Sequence, residues 1–407
     1  MAAASDGDGS PRVGTALTLL RYTFGMSRPV VRLQGSIQSL RFNGQPATLP
    51  NYEWSDFNIN AARSPCKVRL ADGAGLAVSK WTGPKRTRTY PLAKVYDTYS
   101  HSGKIVTVIP IIKDEGRGER ENDTNLDRVN FITLSWMNLM GVYVILAWYC
   151  DADKKDNYRI TRQRLDNDYV RQKIEEVARY KMDAHHWNQD HFVNEFVPLY
   201  EKALHSYALI AQKLGVAMHS QQRLLSFLDA VRSTDNPCKL DLAKYAELSL
   251  SASERAALRE TATEHRMERV QVGNAKGFFE IHNYLGGVYY LTADEVILNG
   301  GNQAIIQESK NTTKRLLPSL SDIKDGLFKL LLFSQLQELR LGGASLQFRT
   351  RLRLTGVFRG KLELPAEPEV LKSFTTGWGE PVRRSLLWLN EELRRLSIEG
   401  FLEGTHS

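Results

Sequence analysis

Asp294, Glu308 and Lys310 are the residues whose types and spacing could do chemistry together. They lie in residues 290–311, YLTADEVILNGGNQAIIQESKN. Asn299, Gly300, Gly301 and Asn302 stand between two apolar stretches and can supply the positive φ angles of a tight hairpin. A turn centred near Gly301 sets a register in which Asp294 opposes Glu308. Directly opposed residues of an antiparallel pair have Cβ atoms about 4.5–5.5 Å apart, so two carboxylates meet on one face. Side chains alternate along a strand, which puts Lys310 beside Glu308 and turns Ser309 away. Carboxylates this close repel unless a cation lies between them. Mg²⁺ is the expected occupant, because it takes oxygen ligands, keeps several waters and bridges carboxylates to phosphate oxygens. An ammonium beside it offsets the charge that builds on a phosphate during transfer. A solvated surface hairpin would carry the same letters, but the apolar AII before Glu308 and VIL after Asp294 mark buried strands.

The elements that must hold this ribbon can be read on either side of it. After it, Ser319 or Ser321 can cap a helix with Asp322 in its first turn, and Leu320, Ile323, Leu327, Leu330 and Leu331 follow at helical spacing. A strand then carries Arg349, Arg351 and Arg353 at period two, which lines three guanidinium groups along one face. Such a row suits phosphate or guanine contacts, and equally a solvated edge strand.

With Asp294 in TADEVIL and Glu308 and Lys310 in IIQESKN, the sequence resembles the PD-(D/E)XK nuclease superfamily, and within it the type II restriction endonucleases. The resemblance covers about 250–360 and departs from the written motif in having Ala293, not proline, before the aspartate. It implies a nuclease-like mixed sheet flanked by helices, with a helix and a strand after the ExK element, which PSLSDIKDGLFKLLLFSQLQEL and SLQFRTRLRL can supply in order. It implies that Asp294 and Glu308 hold Mg²⁺ and that Lys310 acts on the attacking water and the scissile phosphate of double-stranded DNA. Members often add an upstream acid to the metal site, and Glu280 in KGFFEIHNY is the preferred candidate, with Glu260 or Glu264 behind it. A homodimer cutting a short site, and a methyltransferase protecting that site, are further implications.

The rest of the chain is read from its residues. Lys85, Arg86 and Arg88, between Trp81 and Tyr90 and with no acid nearby, form a basic stretch suited to a DNA backbone or groove, or to an ordinary loop. His185, His186 and His191, near Asp183 and Asp190, have spacings that point to different helix faces, unlike a zinc-helix motif. Solvated or capping histidines are the reading preferred. Residues 129–150, VNFITLSWMNLMGVYVILAWYC, run without a charge and are long enough to cross a bilayer. Gly141 splits them, however, and the β-branched, aromatic part beyond it reads as a buried strand after a short helix.

At 407 residues the chain is long enough for two or three domains. Its formal charge of +8 favours a polyanionic partner. Three cysteines, far apart, exclude a CxxC metal knuckle and a dense disulfide framework, and fit a reducing, cytoplasmic setting. The N-terminal residues read as a polar tail without a signal peptide. The expected organisation is α/β throughout: a tail at 1–26, an N-terminal α/β domain at 27–160 that recognises DNA, a helical connector at 161–249, and a catalytic domain at 250–407. Helices are expected to end at Gly215 and to open at Ser251 or Ser253. The expected function is a Mg²⁺-dependent restriction endonuclease. A repair or recombination nuclease that reads DNA structure, and a DNA-binding defence protein without activity, are the alternatives.

Overall fold

The charge-free run breaks where Gly141 takes φ +65°, a left-handed conformation that glycine adopts without steric cost. Before it lies α1 (Phe131–Leu139), capped by Asn130, whose side chain accepts the Thr133 N–H at 3.0 Å. After it, a strand at Val142–Ala147 is buried along its whole length. No helix among the described residues is long and apolar enough to cross a membrane. The structure, a computed structural model, describes residues 30–81, 95–119, 126–263, 274–299 and 302–406. The expected tail at 1–26 and the basic stretch with Lys85, Arg86 and Arg88 lie outside these residues.

The fold is mixed α/β, built on two main sheets. Strand β1 (Val30–Ile37) is followed by β2 (Asn51–Glu53), β3 (Cys66–Arg69), β4 (Gly75–Lys80), β5 (Lys104–Pro110), β6 (Ile112–Asp114), β7 (Leu126–Arg128) and β8 (Val142–Ala147). The smaller sheet has the order β2-β3-β4-β5-β8, with β4, β5 and β8 parallel, and β6 pairs with β7 beside it. β1 is not in it, although the sequence places this strand in the N-terminal domain; it pairs in parallel with a strand of the larger sheet.

A hairpin of β9 (Tyr149–Lys154) and β10 (Ile160–Leu165) leads to α2 (Asn167–Arg179) and α3 (Ala184–Leu214). α3 starts at Asp183, which accepts the His186 N–H at 2.8 Å, and ends at Gly215 with φ +59°. The region expected to be a connector lays its longest helix on β8: Asn188 accepts the Val144 N–H at 2.7 Å, and His191 Nε2 accepts the Leu146 N–H at 3.0 Å. His191 is thus a core residue, 3% exposed, and not a solvated one. After α4 (Gln221–Val231), α5 (Leu242–Thr263) runs through Ser251 and Ser253, so neither opens a helix. Asp241 caps it instead, accepting the N–H groups of Ala243 and Lys244 at 3.1 Å, because LAKYAELSL is already helical.

The larger sheet contains β1, β11 (Asn274–Asn283), β12 (Val288–Asn299), β13 (Gln303–Asn311), β14 (Glu338–Leu341), β15 (Ala344–Ser345), β16 (Gln347–Arg359), β17 (Lys361–Leu364) and β18 (Glu399–His406). Its order is β15-β14-β1-β11-β12-β13-β16-β18-β17. β12 is antiparallel to both neighbours, while β13, β16 and β18 run parallel. Only Leu346 separates β15 from β16, yet β14, β1, β11, β12 and β13 stand between them in the sheet. The Leu346 N–H bonds to Leu339 O at 2.8 Å and the Gln347 N–H to Asn302 O at 2.9 Å. The run therefore curls until its ends meet.

Helix α6 (Leu320–Ser334) lies in that hollow, and α7 (Pro368–Phe374) and α8 (Glu380–Leu396) precede the last strand. Enclosure explains why the second half of α6 is apolar on nearly every side, with Leu327, Phe328, Leu330, Leu332 and Phe333 fully buried. Ser319 caps it by accepting the Asp322 N–H at 3.2 Å. Phe333 packs on Phe279 of β11 at 4.5 Å, and Phe328 on Tyr96 at 5.7 Å. Lys324 meets Asp97 at 2.6 Å, so the N-terminal part of the chain closes over the helix that covers the ribbon.

Candidate active site

The β12–β13 ribbon has the register that the turn at Asn299–Asn302 implies. Its pairs run from Asn299↔Gln303 to Glu295↔Gln307, and Asn302 takes a left-handed φ of 60°. One step further, Asp294 would oppose Glu308, but there the ladder stops. On the other side of β12, Ala275 pairs with Val296 while Gly277 pairs with Ala293. One intervening residue of β11 therefore faces Asp294 and Glu295, a β-bulge at the point where an acid must be aimed. Released from pairing with β13, Asp294 turns its Oδ2 to the Ser309 N–H at 2.8 Å.

The bulge also decides which residues share a face. Ala293 and Val296 lie on the same side because their β11 partners are two apart, and Val296 pairs with Ile306. Ile306, Glu308 and Lys310 follow on that side, beneath α6. Glu308 is 1% exposed, and its Oε1 lies 2.7 Å from Lys329 Nζ of α6. Burial, and then the neighbouring Asp294 carboxylate, push the Glu308 carboxyl up to about 7. Lys329 and Lys310 pull the other way without overcoming that cost. The Lys310 stem runs along α6 at Gly326, where an added Cβ would come within 2.9 Å of Leu352 Cδ1 and 3.2 Å of Lys310 Cε. Glycine makes room for the lysine.

Glu280 does not join this group. It pairs with Tyr290, four residues from Asp294 along β12, which is about 13 Å. Tyr290 alternates with Tyr289 and Leu291, and Tyr289 stacks on Trp136 at 3.7 Å on the side shared with Phe279 and α6. Glu280 is thus on the opposite face, where its Oε1 meets His282 Nε2 at 2.8 Å. Among the described residues no group of three or more His, Cys, Asp or Glu could hold a metal ion. The Glu264 position and the Glu260 side chain lie outside the described residues.

The arginine row is also turned away. Gln307 pairs with Arg351 and Ser309 with Arg353, so the row occupies the face opposite Glu308 and Lys310. Its charges are met by β18: Arg349 and Arg351 reach Glu399 at 2.8 and 2.9 Å, and Arg353 reaches Glu403 at 2.6 Å. The spacing was visible, but its partners lie about 50 residues on. Buried Glu295 is on this face too, accepting the Gln307 side-chain N–H at 2.6 Å.

Lys329 is the site residue that sequence reasoning missed. Its signal is a lone cation inside LFKLLLF, a stretch with no other charge. Two carboxylates with a lysine beside them suit Mg²⁺ by donor type, since that ion fills most of its coordination with water and substrate oxygen. Compared with protein-family models, curated proteins and solved structures, the chain matches none.

Proposed function

We propose that this chain is a Mg²⁺-dependent endonuclease of double-stranded DNA, of the type II restriction class. The observation that carries the reading is the bulged β12–β13 ribbon, in which Asp294 accepts the Ser309 N–H and the charges of Asp294 and Lys310 both act on the buried Glu308 carboxyl under α6. The order β13, α6, β16 supports it, since a helix and a strand after the ExK element are what the PD-(D/E)XK resemblance implies. Asp294 and Glu308 would hold Mg²⁺, which when bound supplies positive charge against phosphate oxygens. The Ser309 N–H fixes the direction of the Asp294 carboxylate. Lys310, whose charge already acts on the Glu308 carboxyl, would offer its ammonium to a phosphate oxygen as negative charge grows. Lys329 holds Glu308 in place through their 2.7 Å contact. A net charge of +8 favours a polyanion as substrate. Action as a homodimer on a short site, with a methyltransferase that protects it, completes the proposal.

One observation favours a second reading. Because Lys329 already pairs with Glu308, a DNA-binding defence protein without cleavage would keep the same contact. The deciding experiment incubates the purified chain with phage DNA, with and without Mg²⁺, and sequences the fragment ends. Discrete Mg²⁺-dependent fragments that vanish in Lys310→Ala support restriction. An intact substrate that is still bound supports the second reading and ends the first.

A further inference from the structure

A cavity of about 410 Å³ opens at the other end of α6, where its last turn meets the start of β16, the end of α8 and the loop after β1. Leu331, Phe348 and Leu396 give it an apolar part, and Arg41, Arg349 and Arg395 line it from three separate elements. Its one lining carboxylate, Glu399, is shared by Arg349 and Arg351. Arg395 meets Glu391 through Nε at 2.9 Å, which leaves its terminal amino groups to face a ligand. Arg41 is held by its backbone alone: the Gln335 side chain accepts its N–H and donates to its C=O, both at 2.5 Å. Its guanidinium makes no hydrogen bond or ion pair with a described residue.

The geometry points to a nucleotide-binding pocket: arginines that grip a phosphate beside an apolar part that takes a base. The volume falls within the range of small-molecule sites, and an apolar part with an aromatic ring accepts a flat heterocycle. Guanidinium forks match phosphate in charge and geometry, and with Glu399 held by Arg349 and Glu391 by Arg395, Arg41 is the lining arginine whose charge has no carboxylate among the described residues. Thr350, on the wall, pairs with Ile306, and Leu352 with Glu308, so the cavity lies roughly 7 Å along the strand from the level of the candidate active site. The inference stands whether or not the chain cleaves DNA. The nucleotide is either free or a unit of a strand.

Titration calorimetry in chelator-containing buffer separates these. The probes are AMP, GMP, inorganic phosphate and a single strand of about 12 nucleotides. Binding of the mononucleotides, with inorganic phosphate weaker by about tenfold or more, is expected for a free ligand. Binding of the strand alone assigns the pocket to a nucleotide within a chain. In either case the double variant Arg41→Glu with Arg395→Glu, both on the surface and confirmed as folded by its thermal transition, is expected to weaken binding by about tenfold or more. Arg41→Ala with Arg395→Ala, which introduces no new charge, is expected to lose less in the same direction. The inference is overturned if no probe binds, if inorganic phosphate binds as tightly as the nucleotides, or if the charge-reversed variant binds unchanged.

Discussion

The two faces of the β12–β13–β16 sheet carry similar charges and treat them in opposite ways. On the outer face Arg349, Arg351 and Arg353 each have a carboxylate from β18, and Lys361 adds a second cation to Glu403 at 2.8 Å. Hydrogen bonds from Lys361 and Arg353 hold the Glu403 carboxyl below its usual range. Under α6 the balance is reversed: Glu308 is buried so deeply, and so near Asp294, that its proton is harder to remove despite two lysines. The contrast teaches that a row of like charges says little until its partners are known. Paired charges on an outer sheet face give register and solubility, whereas charges that raise each other's energy in a buried place are the ones available for chemistry.

The comparison is broken most directly by exchanging the two faces in a cleavage assay. Under the proposed function, Glu308→Gln, Asp294→Asn and Lys310→Ala each lower the rate by about 10²–10³-fold or more. Arg353→Ala is expected to change it little and to cost at most about 1 kcal/mol of stability, the scale of a partly exposed ion pair. Cleavage that survives Glu308→Gln but not Arg353→Ala would place the working charges on the wrong face. A stability measurement then tests Lys329. Lys329→Met leaves Glu308 buried without its closest cation, and urea unfolding near pH 8 is expected to show a loss of about 3–5 kcal/mol. The loss shrinks in weak acid, where Glu308 takes up a proton, and added Mg²⁺ is expected to recover part of it.

The two faces also predict opposite responses to pH. The Glu308 carboxyl is raised from 4.5 to about 7, so the folded chain binds its proton more tightly than the unfolded one. Stability from this group is fully present below 4.5 and is lost as pH rises through 7, by on the order of 3 kcal/mol. Glu403 is lowered, so its contribution is present above the ordinary carboxylate range and is lost as pH falls through its depressed value. Denaturant midpoints between about pH 5 and pH 8 should therefore fall in the wild type and stay flatter in Glu308→Gln. Glu403→Gln should leave that fall intact and remove a loss seen only in stronger acid. An identical slope in wild type and Glu308→Gln would mean that Glu308 is not the group that titrates.

What was legible in the sequence follows from how local each feature is. The ribbon register rests on a four-residue turn and on alternation, both written in 290–311, and the break at Gly141 and the Ser319 cap are equally local. The bulge at Asp294 and Glu295 had no mark, because it is a mismatch between β12 and a strand whose own pairing positions could not be known. The same limit put Glu280 in the site: its residue type was right, but the alternation that carries it to the far face depends on that bulge. The arginine row was seen and its face was not, since β16 meets β13 on one edge and β18 on the other only after the chain has crossed α6 and α8. β1 shows the most distant dependence, pairing with β11 across some 240 residues.

The smallest expected effect is at Gly326, and it sharpens the account of Lys310. In an enclosed helix interior, alanine in place of glycine gains up to about 1 kcal/mol from backbone entropy alone. Here the added methyl would press on Leu352 Cδ1 and Lys310 Cε, the far ends of flexible side chains that can shift by a few tenths of an ångström. The gain and the crowding nearly cancel, so Gly326→Ala should leave the unfolding midpoint within about 0.5 kcal/mol of wild type. The displaced lysine stem, in contrast, moves an ammonium whose use depends on its position, and cleavage should fall by roughly three- to tenfold with DNA binding unchanged. Loss of stability with unaltered cleavage would mean that the glycine serves only the packing of α6 on β16. Loss of cleavage at constant stability would tie the ammonium's placement to the helix that covers it.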